Sequence, residues 1–522
     1  MQSPRLHRCG TQTRRALGVP AALGTVLFLL TCALPTSAHV GSPDVFLEGS
    51  AGPYKLFVTV RVPQVIPGIA EVEIRSQSND VSEIRIAPMQ LTGPGSQFAP
   101  APELTERSKD DPQFFRGSLW LMEFGSLQVR IEADGTNGKG LLAVPIPAIA
   151  QRMLPMQRSL GALLFVLMIV LSLAMVSMVA AAVREGNLAP GAPAPTARAR
   201  RVRFAAAIAS VVVAAVLAAG GLWWRADARQ YASHIYTTPE IEASVNANGQ
   251  LMLHTKPIRM TSGNPRRPAD LIDFNDLMLD HEHLMHLFIV RSPGIDIFWH
   301  LHPQRAADGF TQNLPAMPAG HYKVFADVVL SGGFPVTMIG QIDLSSAIRA
   351  SAVAGKPLSG DDSGIDGNAV GTEASATAEY SLPDGGHVIW EREGQPIEPL
   401  RAGVPLILRF RVTDHSGNSA EDLEPYMGMA AHAAIIRSDG SVFAHVHPTG
   451  SVPMASFELA QASLPAVPGE APTMDMKQMK TEKIVPEISI PYGFPKAGLY
   501  RMFVQIKRSG RIQTAVFDAN VK

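Results

Sequence analysis

The chain has 522 residues, 46% of them hydrophobic, a formal net charge of −1 and a positive mean hydropathy. It is too long for one domain and too apolar for a purely soluble protein. It shows no basic patch of the kind that binds nucleic acid, and its only cysteines, Cys9 and Cys32, rule out a disulfide framework.

The chain opens with Arg5, Arg8, Arg14 and Arg15, followed by an apolar stretch from Ala16 to Leu34 and then Pro-Thr-Ser-Ala. This is the layout of a secretory signal over residues 1–38, with cleavage after Ala38. Both cysteines would leave with it. No thiolate ligand would remain, which excludes a blue-copper site and argues against electron transfer. The exposed His39 would supply an amine and an imidazole, but residues 40–233 contain no second His, so it is read as incidental.

Residues 39–150 alternate apolar and polar positions in Tyr54–Val62, Ile69–Ile74, Val81–Ile86 and Leu127–Ile131, with Pro/Gly loops between them. A periplasmic β-sandwich of Ig-like size follows. The stretches KLFVTVRVP and GSLWLMEFGSLQVRIEA resemble the small β-domains of the FixH and YtkA-like families. That resemblance implies a domain standing beside membrane helices in bacterial metal-handling or oxidase-assembly systems.

Two apolar segments, 160–183 and 204–224, are each long enough to cross a bilayer. The connection 184–203 carries Arg184, Arg198, Arg200, Arg201 and Arg203, so the positive-inside rule makes it cytoplasmic. The expected topology is two-pass in the inner membrane, with both flanking regions in the periplasm and Trp223 and Trp224 at the interface. Neither span holds a charge, which fits an anchor better than a transporter. Ala206, Ser210, Ala214 and Ala218 form a small-residue ladder suited to helix–helix association.

Beyond the membrane the sequence repeats itself. Residues 281–303 read HEHLMHLFIVRSPGIDIFWHLHP and residues 427–448 read MGMAAHAAIIRSDGSVFAHVHP. Each copy has a His, a short apolar run ending in Arg-Ser, a turn, and His-x-His-Pro. Both are followed by a second match, Pro318-Ala-Gly-His-Tyr322-Lys-Val-Phe325 against Pro495-Lys-Ala-Gly-Leu-Tyr500-Arg-Met-Phe503. Two duplicated periplasmic β-domains, 232–345 and 378–520, joined by a flexible linker over 346–377, follow from this.

Residues two apart on a strand share a face, so His300 and His302 pair, as do His445 and His447. Asp439-Gly440 predicts a type I′ hairpin turn that sets His432 opposite His447. In the first copy only an odd loop around Pro293-Gly294-Ile295 puts His286 opposite His302. Directly paired or diagonal imidazoles can reach one metal through bonds of about 2 Å. The expected ligands are therefore His286, His300 and His302 in one domain and His432, His445 and His447 in the other. His281, His283, Met285, Met427, Met429 and Met454 are additional candidates, while Met474, Met476 and Met479 read as a polar loop beside Lys477 and Lys480. Imidazole suits copper or zinc, and nearby thioethers favour copper. Phe298 and Phe443 share the His faces. A purely structural role, His packed against backbone, is the competing reading. His254, His321, His387 and His415 are isolated and read as ordinary.

The paired domains resemble bacterial periplasmic copper-handling membrane proteins with cupredoxin-like His-x-His-Pro β-domains. The resemblance implies copper buffering, delivery or resistance, with a metal exporter, metal chaperone or oxidase-assembly protein as partner. The fold expectation is mainly β, Ig-like or cupredoxin-like sandwiches plus two transmembrane helices. The function expected is a membrane-anchored, non-enzymatic metal-binding protein with open-sided sites. The alternatives are a metal-free β-sandwich scaffold docking a membrane partner, and a copper-dependent oxidase or monooxygenase.

Overall fold

The computed structural model describes residues 44–522 apart from 99, 187, 190, 193–198, 247, 256–257, 261–269, 273, 275, 346–359, 367–377, 393–398 and 466–483. The expected signal, His39, the Met474–Met479 run and most of the expected linker lie outside the described residues.

Alternating apolar positions build the first sandwich. Val45–Ala51, Tyr54–Arg61, Gly68–Ser76 and Phe114–Leu121 lie in a five-stranded antiparallel sheet. Val81–Gln90, Gly125–Gly135 and Gly138–Ala148 lie in a four-stranded one. Leu56, Val58 and Val60 meet Ile84, Ile86, Val129 and Ile131 in the core between them, as expected for a two-layer β fold.

Two helices follow, Arg158–Glu185 and Ala199–Ala232, each long and apolar enough to cross a membrane. They run past the expected spans at both ends because Ala and Arg, good helix formers, flank the apolar stretches. None of their side chains is buried. The helices pack along one another, with Val202, Ala205, Ala206, Ala209 and Val213 half-covered on the second. Of the expected ladder only Ala206 lies on that seam, while Ser210, Ala214 and Ala218 are exposed.

The duplicated sequences fold alike. In the first repeat His286–Arg291 lies between Gly320–Leu330 and Phe298–Leu301, and in the second His432–Arg437 lies between Gly498–Arg508 and Phe443–Val446. Tyr322 pairs with Arg291 and Tyr500 with Arg437. Each tyrosine hydroxyl donates to the carbonyl four residues back, Pro318 or Lys496, at 2.7 Å. Ahead of each hairpin the chain makes the same turn. Asp280 bridges His283 and Tyr426 bridges Met429, with His281 and Met427 at φ values of 50° and 48°.

Apart from their His and the closing Arg, the hairpin strands are apolar because both their faces are covered. Leu287, Ile289, Trp299 and Leu301 enter the first repeat's own core, and Ala433, Ile435, Ala444 and Val446 enter the second's. The other two faces meet each other. Phe288, Phe298 and Phe325 join Ala434, Ile436, Phe443 and Phe503 in one shared core. Phe325 stacks on Phe443 at 4.4 Å and Phe298 on Phe503 at 4.2 Å, near-parallel in both cases. Phe325 corresponds to Phe503 in the repeat, and Phe298 to Phe443, so the two contacts are one contact seen twice about a local pseudo-twofold axis.

Part of the expected linker is structured. Ser363–Ile365 forms a strand on the outer edge of Phe298–His300. Gly364 is required there: a Cβ would sit 2.2 Å from the Trp299 ring. An unpaired sheet edge recruits extended chain, which explains the order of these residues.

Candidate metal centre

Both hairpins have the register that places their His together. Leu287 pairs with Leu301 and Ala433 with Val446, so His286 stands opposite His302 and His432 opposite His447. In the first hairpin an odd loop closes between Arg291 and Ile297, with Ile295 at φ 47°. In the second, the type I′ expectation is corrected. Only Gly440 has positive φ, and its N–H donates to the Arg437 carbonyl at 2.7 Å. The turn is thus centred on Ser438-Asp439, with Gly440 as the left-handed residue after it. Asp439 stabilises it by accepting from the Ser441 N–H and pairing with Arg437. The two turn arginines, Arg437 and Arg291, the latter paired with Asp296, account for the Arg-Ser of the motif as a turn clamp.

The His faces oppose each other, so the trios that form are not those expected within each repeat. The side-chain nitrogens of His281, His432 and His447 lie within 4.8 Å of one another, as do those of His286, His300 and His445. Each trio takes ligand atoms from both repeats. His302, expected with His286 and His300, instead stacks on His283 at 3.9 Å beside Asp361 and Asp362. The open-sided site expected from sequence is also corrected: His300 and His432 are fully buried, and His281, His286, His302 and His447 nearly so.

Outer partners decide which nitrogens carry protons, because carbonyl and carboxylate oxygens can only accept. His286 Nε2–H donates to the Asp280 carbonyl at 3.1 Å, and His300 Nδ1–H donates to Gln505 Oε1 at 2.9 Å. Their remaining nitrogens, His286 Nδ1 and His300 Nε2, face each other at hydrogen-bond distance, 3.1 Å. His445 Nδ1 lies 3.5 Å from Asp327 Oδ2, and its Nε2 has no partner. In the other trio His281 Nδ1–H donates to the Met427 carbonyl at 2.8 Å, leaving Nε2 bare, and neither ring nitrogen of His432 has a hydrogen-bond partner. One nitrogen tied to an outer acceptor and the other bare is the arrangement that orients imidazole toward a metal. Unsatisfied buried polar atoms are otherwise costly, at about 1–3 kcal/mol each.

Burial is the main cause that keeps these rings neutral. It lowers the His286 pKa to about 4 and pushes His300, His302, His432, His445 and His447 well below the ordinary range, with repulsion among the rings adding to it. Burial also raises the Asp327 carboxyl to about 7.

The additional candidates divide. His281 belongs to a trio, and His283 flanks His302. Met285 lies in the first repeat's own core, on the face away from the His. Met429 and Met454 pack into the core of the N-terminal sandwich. Met427 contributes only its carbonyl, to His281. His321 and His387 lie beside the Asp343 and Glu379 carboxylates, both at 2.9 Å, away from the trios.

Sequence reasoning missed Asp327 and Gln505. Each stands opposite the first His of its own hairpin, His286 or His432, yet reaches across to the other repeat, to His445 or His300. The signal was available. Two residues past the matching Phe325 and Phe503, the duplicated strands place Asp327 and Gln505 at one equivalent position.

A family model described as a domain of unknown function (DUF8832) matches residues 384–522, which is the second repeat. No curated protein matches the chain. Among solved structures, a tetra-tandem repeat from the extending region of a large adhesion protein is similar at 9% identity and TM-score 0.16, over 88% of this chain and 72% of that one. The ICAM-5 D1–D4 ectodomain fragment is similar at 8% identity and TM-score 0.14, over 90% and 77%.

Proposed function

We propose that the chain is a membrane-anchored extracytoplasmic protein that holds copper in two neighbouring three-His centres at the junction of its duplicated β-domains. The observation that carries this reading is the set of buried imidazole nitrogens without a hydrogen-bond partner, His281 Nε2, His445 Nε2 and both nitrogens of His432 and of His447, gathered in the two trios. Buried lone pairs left without a donor are costly unless a cation takes them. The donor set is three neutral imidazoles per centre, which suits copper or zinc. Burying a monovalent ion among neutral ligands costs less than burying a divalent one, since the desolvation penalty grows with charge. That favours Cu(I) over zinc, without the thioether ligands expected from sequence.

Full burial fits retention, as in buffering or resistance, better than rapid hand-off to a metal exporter, chaperone or oxidase-assembly partner. Copper content of the full chain in detergent tests the reading. Two tightly held equivalents are expected, and none above adventitious levels would leave a metal-free scaffold. A cavity that reaches His445 favours a second reading, copper-dependent oxidation of a small molecule, which turnover under oxygen by the copper-loaded chain would establish.

The anchoring reading places both β regions in the periplasm and the arginine-bearing connection in the cytoplasm. A cysteine introduced at exposed Asp308 should then react with a membrane-impermeant maleimide in intact cells, and one at Arg200 should not. The reverse pattern would invert the topology.

A further inference from the structure

A cavity of about 160 Å³ opens where the N-terminal sandwich meets both repeats. Its walls are mostly apolar and include Pro145, Ile149, Val329, Phe334, Pro335 and Val452. Its polar lining includes Asp327, His445 and His447. Four buried polar atoms on these residues, Asp327 Oδ1, His445 Nε2 and both ring nitrogens of His447, have no hydrogen-bond partner. An apolar cavity of about 150 Å³ in another protein accommodates benzene, so the space here is that of one six-membered ring. Asp44 and Asp280 also line it, so a ligand carrying negative charge would be repelled. The apolar walls would leave a hydrated cation poorly solvated.

We propose that this cavity binds a small neutral phenol, its ring between Val329, Phe334 and the prolines and its hydroxyl donating to Asp327 Oδ1. The phenol oxygen then lies on the side of His445, so a ligand placed here sits next to one of the two His trios. The site is defined by shape, apolar lining and one acceptor, and it does not need metal to form. A ring without a hydroxyl can fill the walls but leaves Asp327 Oδ1 without a partner. A ring carrying a carboxylate meets three aspartates.

The test is ¹⁹F NMR titration of the metal-free full chain in lipid nanodiscs with 4-fluorophenol, fluorobenzene and 4-fluorobenzoate. One saturable site per chain for 4-fluorophenol is expected, with 4-fluorobenzoate showing none. Val329→Trp, which fills the cavity, should abolish saturable binding of both neutral rings. Asp327→Leu should weaken 4-fluorophenol about threefold to tenfold, the loss of a hydrogen bond to a buried carboxyl oxygen, and leave fluorobenzene unchanged. Absence of saturable 4-fluorophenol binding, or binding indifferent to both substitutions, would overturn the proposal. Because the protein is metal-free, failure here leaves the copper reading intact, and failure to hold copper leaves this site intact.

Discussion

Metal-free protein is expected to lose stability steeply as the pH falls from about 6.5 toward 4. The sign follows from which state binds the proton. His286 titrates near 4 when folded against 6.5 in the unfolded chain, so between those values the unfolded chain carries more protons and acidification favours it. The stability is complete above 6.5 and is lost progressively down to about 4. A shift of this size for one residue corresponds to on the order of 3 kcal/mol. His300, His302, His432, His445 and His447 are shifted in the same direction, so the dependence should exceed one proton per molecule. Chemical denaturation at pH 7.5, 6 and 5 measures it. Stability independent of pH over that range would mean that the rings are not buried together. Bound metal should shift the loss to lower pH, because ligated nitrogens must release the ion before they take a proton.

The second large effect is stabilisation by copper itself. A ligand that binds only the folded state adds about 4 kcal/mol at a thousandfold excess over its dissociation constant, so two filled centres should add roughly twice that. His432→Ala should halve the gain while changing the metal-free protein little. His432 makes no hydrogen bond, so its removal strands no partner and deletes two buried unpaired nitrogens, which offsets the lost packing. Thermal melts with and without copper read both quantities. An undiminished copper-induced shift in His432→Ala would remove that residue from the ligand set.

Much of this architecture was legible in the sequence, and the reasons differ by level. Strand alternation and the two apolar stretches report burial and bilayer length directly, so the mainly β fold and the long helices follow from local pattern. The pairing of His286 with His302 and of His432 with His447 follows from strand period and loop parity. Register tolerated an error in turn type, since Ser438–Ser441 closes the same hairpin by a different backbone route. The partition of the His into trios was not legible, because it depends on how the two repeats pack against each other. Phe298 and Phe443 held the clue. Large aromatics beside His on a strand face require a cover, and in a duplicated chain the most available cover is the other copy. Met285 and Met429 show the converse limit, since proximity in sequence says nothing about which face of the turn a side chain takes.

The most direct test of cross-repeat sharing is the copper stoichiometry of His286→Ala, His445→Ala and the double variant. Because these residues belong to one trio drawn from both repeats, each single change should remove the same equivalent. The double variant should therefore retain one of two. Loss of one equivalent in each single variant and of both in the double would instead place a separate site in each repeat and contradict this account.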